Sequence, residues 1–253
     1  MSVNEETRAR NDRAIPALVY NAYLQIKTRS IRRPPMVRRG NHADLIEDQL
    51  QADGHRTWGF VIYRTTYGND EDWTEFLKRL RFRMEKSFDF YNGRDILDLF
   101  TLTVIEDRDL EGASAATVRE HFRQWCATAH QSEQPEGAGP GFSPRYRYAI
   151  QVDAESLHSV VHDAPAPPAM DITKRGWVKL IESRWEPAPS GDIQDPYQEV
   201  YEPIEGVTES HVGWMKVPYT SVMHESYALG WDLSWWVTTY RRPPVVIGYP
   251  YNE

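Results

Sequence analysis

The sequence predicts an α+β fold, a mainly antiparallel sheet with helices packed on one face, ferredoxin-like in plan and elaborated. Three observations predict it. Trp58-Gly-Phe-Val-Ile-Tyr-Arg-Thr-Thr-Tyr67 is an apolar, β-branched and aromatic run that stops at the helix-starting cluster Gly68-Asn-Asp-Glu-Asp72. Strand-like and helix-like segments then follow in the order β-α-β-α-β-(α)-β. Two of the strand segments, Phe100–Val104 and Arg145–Val152, alternate polar and apolar residues, which suits a sheet wet on one face. The regular strand–helix order keeps an α/β fold with a parallel sheet as the alternative.

Each element has its own signal. Residues 14–26 read as a short helix with Pro16 in its first turn. Lys27 to Arg39 hold six basic residues and no acidic one, and Pro34-Pro35 forbid a helix there, so this arm reads as extended. Residues 1–44 form a basic helix and arm on this reading, and 45–253 a single α+β domain. Asp44–Leu50 is a short helix ended at Asp53-Gly54. Residues 58–67 are a strand buried on both faces. Asn69 and Asp70 supply the next N-cap, and Trp73, Phe76, Leu77, Leu80 and Met84 follow at helical spacing over 71–87. Thr117-Val-Arg-Glu120 has capping-box spacing ahead of the stripe Val118, Phe122, Trp125, Cys126, Ala129.

A Gly/Pro-rich loop covers 131–144. In the third strand Tyr146, Tyr148, Ile150 and Val152 share one face, and Arg145, Arg147 and Gln151 a solvated one. Ala154–Val161 is a short helix, Ala164–Pro168 a loop, and Trp177–Trp185 the fourth strand. Residues 186–210 form a long acidic excursion, Trp214–Tyr219 a weaker strand, and Ser221–Trp236 an aromatic-rich, partly helical stretch before Pro243-Pro244. Ile31-Arg-Arg-Pro-Pro-Met-Val37 echoes Tyr240-Arg-Arg-Pro-Pro-Val-Val246, over too short a span for a duplication.

Composition bounds the function. The 253 residues include nine Trp, enough to bury a sizeable core. Residues 1–45 carry nine Lys/Arg and four Asp/Glu, or +5, and the whole chain −8, which leaves −13 on the rest. An acidic body argues against nonspecific nucleic-acid binding, while Lys27–Arg39 keeps a local anionic partner such as tRNA open. No apolar run approaches the roughly 18 residues of a membrane span. The polar start lacks a signal-peptide core, so a cytoplasmic setting without membrane association is expected. The single Cys126 excludes an internal disulfide framework and a cysteine-based zinc site, and reads as a buried structural thiol.

Few residues carry a chemical signal. Glu155, His158 and His162 share a helical stripe, a spacing that suits a divalent metal, but they lack a fourth ligand and a solvated face accounts for them. Glu106, Asp107 and Asp109 follow the second strand and Asp153 the third. A carboxylate from each of two neighbouring strands is an acid/base candidate, and turn and cap chemistry is the plainer role. Arg64 interrupts an apolar strand and needs a partner, either a structural carboxylate or a bound anion. Trp231, Trp235, Trp236, Tyr240, Tyr249 and Tyr251 crowd the C-terminal end beside Arg241-Arg242, as core or as a stacking platform. Ser221 and Ser234 have His224 and His211 near in sequence but no nucleophile elbow. No phosphate-binding loop or dinucleotide glycine fingerprint is present, and no metal or cofactor is expected.

Trp58–Trp73 resembles a stretch found across a large family of hypothetical filamentous-fungal proteins. Arg145-Tyr-Arg-Tyr148, Val152-Asp-Ala-Glu-Ser-Leu157, Gly213-Trp-Met-Lys-Val217 and Arg242-Pro-Pro244 are similar to later parts of the same pattern, and the resemblance covers about residues 45–247. It implies a fungal, cytosolic protein of a kind often accessory to specialised metabolism, and brings no mechanism.

The leading expectation is a cofactor-independent biosynthetic enzyme acting on an aromatic or amide-rich small molecule. Glu106 and Asp153 are its proton-transfer candidates. Arg64, Tyr67, Trp214, Trp235, Tyr240 and Arg241 are its binding candidates. A non-catalytic module that dimerises through its sheet, and a tRNA-dependent, cyclodipeptide-forming aminoacyl transferase, are the alternatives.

Overall fold

The computed structural model describes residues 41–187 and 201–248. The helix expected over 14–26, the Lys27–Arg39 arm, Tyr249, Tyr251 and the 188–200 part of the acidic excursion lie outside the described residues.

One five-stranded sheet organises the rest, in the order β2-β1-β3-β4-β5. Its strands are β1 (Val61–Arg64), β2 (Thr103–Glu106), β3 (Tyr148–Val152), β4 (Trp177–Glu182) and β5 (Trp214–Pro218). β1 runs parallel to β2 on one side and to β3 on the other. β3–β4 and β4–β5 are antiparallel. The fold is therefore α+β with a mixed sheet, which corrects the mainly antiparallel expectation. Parallel neighbours need a long crossover, and the two long helices supply them. β1 and β2 pair directly, whereas the split β-α-β of a ferredoxin-like plan needs a strand between them.

The crossovers also place helices on both faces, not one. Helix α2 (Asp70–Phe90) carries the chain from β1 out to β2, and α3 (Ala115–Glu133) brings it back past β1 to β3. Two right-handed crossovers in opposite directions must lie on opposite sides of the sheet. Trp73, Phe76, Leu80, Met84 and Phe88 of α2 pack with Phe60, Ile62, Ile150 and Val152. Ala115, Val118 and Phe122 of α3 pack with Val61, Tyr63, Ala149 and Ile181. Removing one such side chain from water contributes about 1.5–3 kcal/mol. On the α2 side, helix α1 (His42–Asp53) completes the layer, and Trp58, with no exposed surface, donates its indole N–H to the Ile96 carbonyl at 2.7 Å.

Local chemistry sets the helix ends. Asn41 and Asp44 form a reciprocal capping box at α1, and Gly54 closes it at φ 67° in the left-handed region. The expected boundary at residues 44/45 therefore falls inside α1. Asn69 accepts the amides of Glu71 and Asp72, and Asp70, Glu71 and Asp72 sit at the positive end of α2. Helix α3 starts at Ala115 rather than at a Thr117 cap. Its cap is Ser114, whose hydroxyl accepts the Thr117 amide, so Thr117 is the third residue of the helix. A short helix α4 (Ala154–His158) continues as a π-turn over Ser159–Asp163, and a second π-turn, Val222–Ser226, precedes α5 (Leu233–Thr239).

The polar/apolar alternation of the third strand does not mark a wet face. All five residues of β3 are buried, Arg145 lies in a 3-10 turn ahead of it, and Arg145 and Arg147 are 0% and 5% exposed. Arg145 forms a bidentate pair with Glu133, both contacts at 2.7 Å, and also reaches Gly59 O and Thr103 Oγ1 at 2.7 Å. β2 and β5 are the sheet edges, and Val246 covers β5 through a parallel bridge to Lys216. Among the described residues no helix is long and apolar enough to cross a membrane.

Candidate functional site

The carboxyl ends of β1, β2 and β3 gather four of the expected site residues, on two faces. On the α2 face Arg64 and Glu106 are register partners. Arg64 is 5% exposed and its guanidinium meets Asp70 closely and Glu106 at 3.7 Å. It also stacks on Tyr67 at 4.5 Å and Trp73 at 5.0 Å, and Arg108 covers Tyr67 at 5.1 Å. Glu106 Oε1 further accepts the Trp73 indole N–H at 2.5 Å. The partner expected for Arg64 is thus a pair of structural carboxylates.

On the α3 face Asp153 caps α4, accepting the Ser156 amide at 2.9 Å, and pairs with Lys179 Nζ at 2.9 Å. Burial pushes the Asp153 carboxyl up, but Lys179 and Ser156 more than offset it, and it titrates below its ordinary value. A strongly ionised, fully engaged carboxylate is a poor proton shuttle near neutrality. Glu106 and Asp153 do not come from neighbouring strands. β1 lies between them, which sets their strands about 10 Å apart, and their partners Arg64 and Lys179 lie on opposite faces of the sheet.

The aromatic candidates disperse. Trp214 lies under Lys179, 4.4 Å from ring to Nζ, and so joins the Asp153 side. Trp235 packs in the α2-side core against Tyr148, ring centroids 6.0 Å apart. Tyr240 stacks on His211 at 4.0 Å and its hydroxyl accepts the Val212 amide at 3.0 Å. Arg241 is exposed and binds the Tyr240 carbonyl at 2.8 Å. The Glu155–His158–His162 stripe also splits. Glu155 pairs with Lys216 at 2.9 Å, His162 with Asp72 at 2.8 Å and His158 with Asp163 at 3.6 Å. Among the described residues no three metal-ligating side chains converge.

A cavity lies at the other end of β3. It holds about 540 Å³ between α3 and the residues flanking β3 and β4, and Arg123, Arg147, Arg184, Cys126, Tyr146 and Glu186 line it. Arg123 donates to Ser183 O at 2.6 Å and Trp185 O at 3.0 Å, with the carboxylates of Glu186 at 3.3 Å and Glu120 at 3.9 Å. Arg147 donates to Gly230 O and the Tyr148 hydroxyl, both at 2.8 Å. Burial holds Arg147 below its usual range, and Arg184 presses the same way. Burial likewise lowers neighbouring Arg119 to about 10, with Arg123 adding to the shift. Burial pushes the Cys126 thiol up to about 12, which keeps it a protonated, non-nucleophilic wall.

Sequence reasoning missed Lys179, Arg123 and Arg184. Lys179 carries the signal that marked Arg64, a cation inside an apolar strand. The two arginines carry none, because only the tertiary fold brings them beside Arg147. No family model, no curated protein and no solved structure matches the chain.

Proposed function

We propose that the chain binds an anionic small molecule in the Arg123–Arg147–Arg184 cavity. One observation carries this reading. Three guanidinium groups border a cavity of ligand size, and among the described residues Glu186 is the single carboxylate in its lining. Neutral acceptors hold Arg147 without neutralising its charge, and Arg123 is only partly offset by Glu186 at 3.3 Å and Glu120 at 3.9 Å, which favours an anion beside them. It stands out on a chain whose net charge is −8. Tyr146 offers the ligand an aromatic wall, which fits the expectation of an aromatic or amide-bearing substrate. Binding is better supported than turnover, because the thiol and phenol in the wall are both held protonated by burial. The acid–base enzyme reading rests on Glu106, half-exposed beside Arg64.

Calorimetric titration with indole-3-acetate and with pyrophosphate tests the proposal. Arg184 is exposed, so Arg184→Glu leaves the fold intact. The expected outcome is saturable binding of one probe, weakened at least tenfold by Arg184→Glu and by raising salt from about 0.05 M to about 0.3 M. No binding of either probe, or equal binding by Arg184→Glu, overturns it.

A further inference from the structure

The winding of the sheet reverses between β1 and β3: the chain leaves β1 toward β2 through α2 and returns through α3 to β3. In open sheets ligands bind beyond the carboxyl ends of the strands at such a switch point. Here the two strand ends stay joined, Thr65 donating its amide to Val152 O at 3.0 Å. Gln151 links them to the start of α3, donating to Ala113 O at 2.7 Å and to Thr65 Oγ1 at 3.1 Å. Gln151 has no exposed surface, and its Oε1 has no hydrogen-bond partner. Its register partner on β4 is Lys179, 8% exposed.

A carboxylate of the protein itself occupies this corner. Glu205 Oε2 accepts the Ala115 amide, the first of α3, at 2.9 Å, and Oε1 lies 3.6 Å from Lys179 Nζ. Glu205 reaches in from the tip of a two-residue hairpin closed by Ile204 and Val207. Its φ is 49°, a left-handed conformation that Asn or Gly adopts far more readily than Glu. Arg242 holds the hairpin base through Glu202 O at 2.6 Å and Val207 O at 3.1 Å. The tip is thus fixed while the Glu205 side chain, 29% exposed, stays within reach of solvent.

We propose that the Ala115 amide, Lys179 and Gln151 form a binding site for a small α-hydroxycarboxylate, with the Glu205 carboxylate as an internal stand-in that the ligand displaces. The amide and the ammonium receive the ligand carboxylate in the place of the Glu205 carboxylate, in the manner of anions at helix N-termini. The buried, unpartnered Gln151 Oε1 accepts the neighbouring hydroxyl, which selects hydroxy acids over simple carboxylates. The site lies at the end of β3 opposite the arginine cavity and does not depend on it.

Titration of the full chain with lactate, acetate and inorganic phosphate tests this. Glu205→Gln keeps the hairpin and removes one of the two carboxylates on Lys179, leaving Asp153 at 2.9 Å. It should bind lactate at least tenfold more tightly than the wild type, and acetate at least fivefold more weakly than lactate. Glu205→Gln/Lys179→Met should lose the gain, and Glu205→Gln/Lys179→Arg, which keeps the cation, should retain part of it. Thermal melts identify variants that fail to fold. Equal lactate affinity in folded wild type and Glu205→Gln overturns the proposal, as does a folded Glu205→Gln that binds acetate as well as lactate or takes only phosphate.

Discussion

Arg145 places a guanidinium with no exposed surface between Glu133, Gly59 and Thr103, and lays it over Trp125 at 5.4 Å. Removing one partner of such a pair strands the other charge, at a cost of about 3–5 kcal/mol. Arg145→Met is expected to lower stability by that amount in urea titration. Arg145→Lys should recover little, since an ammonium cannot make the bidentate contact. Glu133→Leu added to Arg145→Met should restore part of the loss, and a double variant no better than the single would refute the stranded-charge account. A second residue-scale expectation concerns pH. Burial lowers His224 to about 3 and His211 to about 4, with His42 and Arg119 respectively adding to the effect. Their ordinary value is 6.5, so the unfolded chain takes up protons first on acidification. Their contribution is complete above about pH 6.5 and is lost as pH falls toward 4 and then 3. Thermal melts should show Tm falling across this window, and His224→Phe should flatten part of the fall. At this scale a need for a partner was legible, as at Arg64, but the partner was not. Asp70 and Glu106 lie 6 and 42 positions away in sequence, and only the fold brings them to Arg64.

Elements were read well where local chemistry decides them. The spacing of Trp73, Phe76, Leu80 and Met84 and the Asn69 cap follow from helix geometry alone, and α2 forms where they place it. The start of α3 was misplaced because Thr117 and Glu120 have capping-box spacing, while Ser114 competes for the same amide and holds it. Ser114→Ala is therefore expected to cost about 1 kcal/mol and Thr117→Ala only a few tenths, measured from urea midpoints. A larger loss at Thr117 would return the cap to that residue. The third strand misled for a different reason. Polar residues at every second position mark a wet face only if water reaches them, and Gln151, Arg145 and Arg147 find protein acceptors instead.

The molecule as a whole was least legible, because strand pairing joins residues far apart in sequence. Regular strand–helix order was compatible with both a parallel and an antiparallel sheet, and the protein contains half of each. The expected site was likewise half legible: strand ends pointed to Arg64, Tyr67, Glu106 and Asp153, but side-chain alternation puts Arg64 and Glu106 on one face and Asp153 with Lys179 on the other. The arrangement of the edges limits how copies of this chain can join. Val246 bridges β5 at Lys216, and among the described residues no strand pairs with the outer flank of β2. A copy that docks there covers that flank in both partners. Association along this route closes as a twofold pair, because each β2 edge is then taken up by the other.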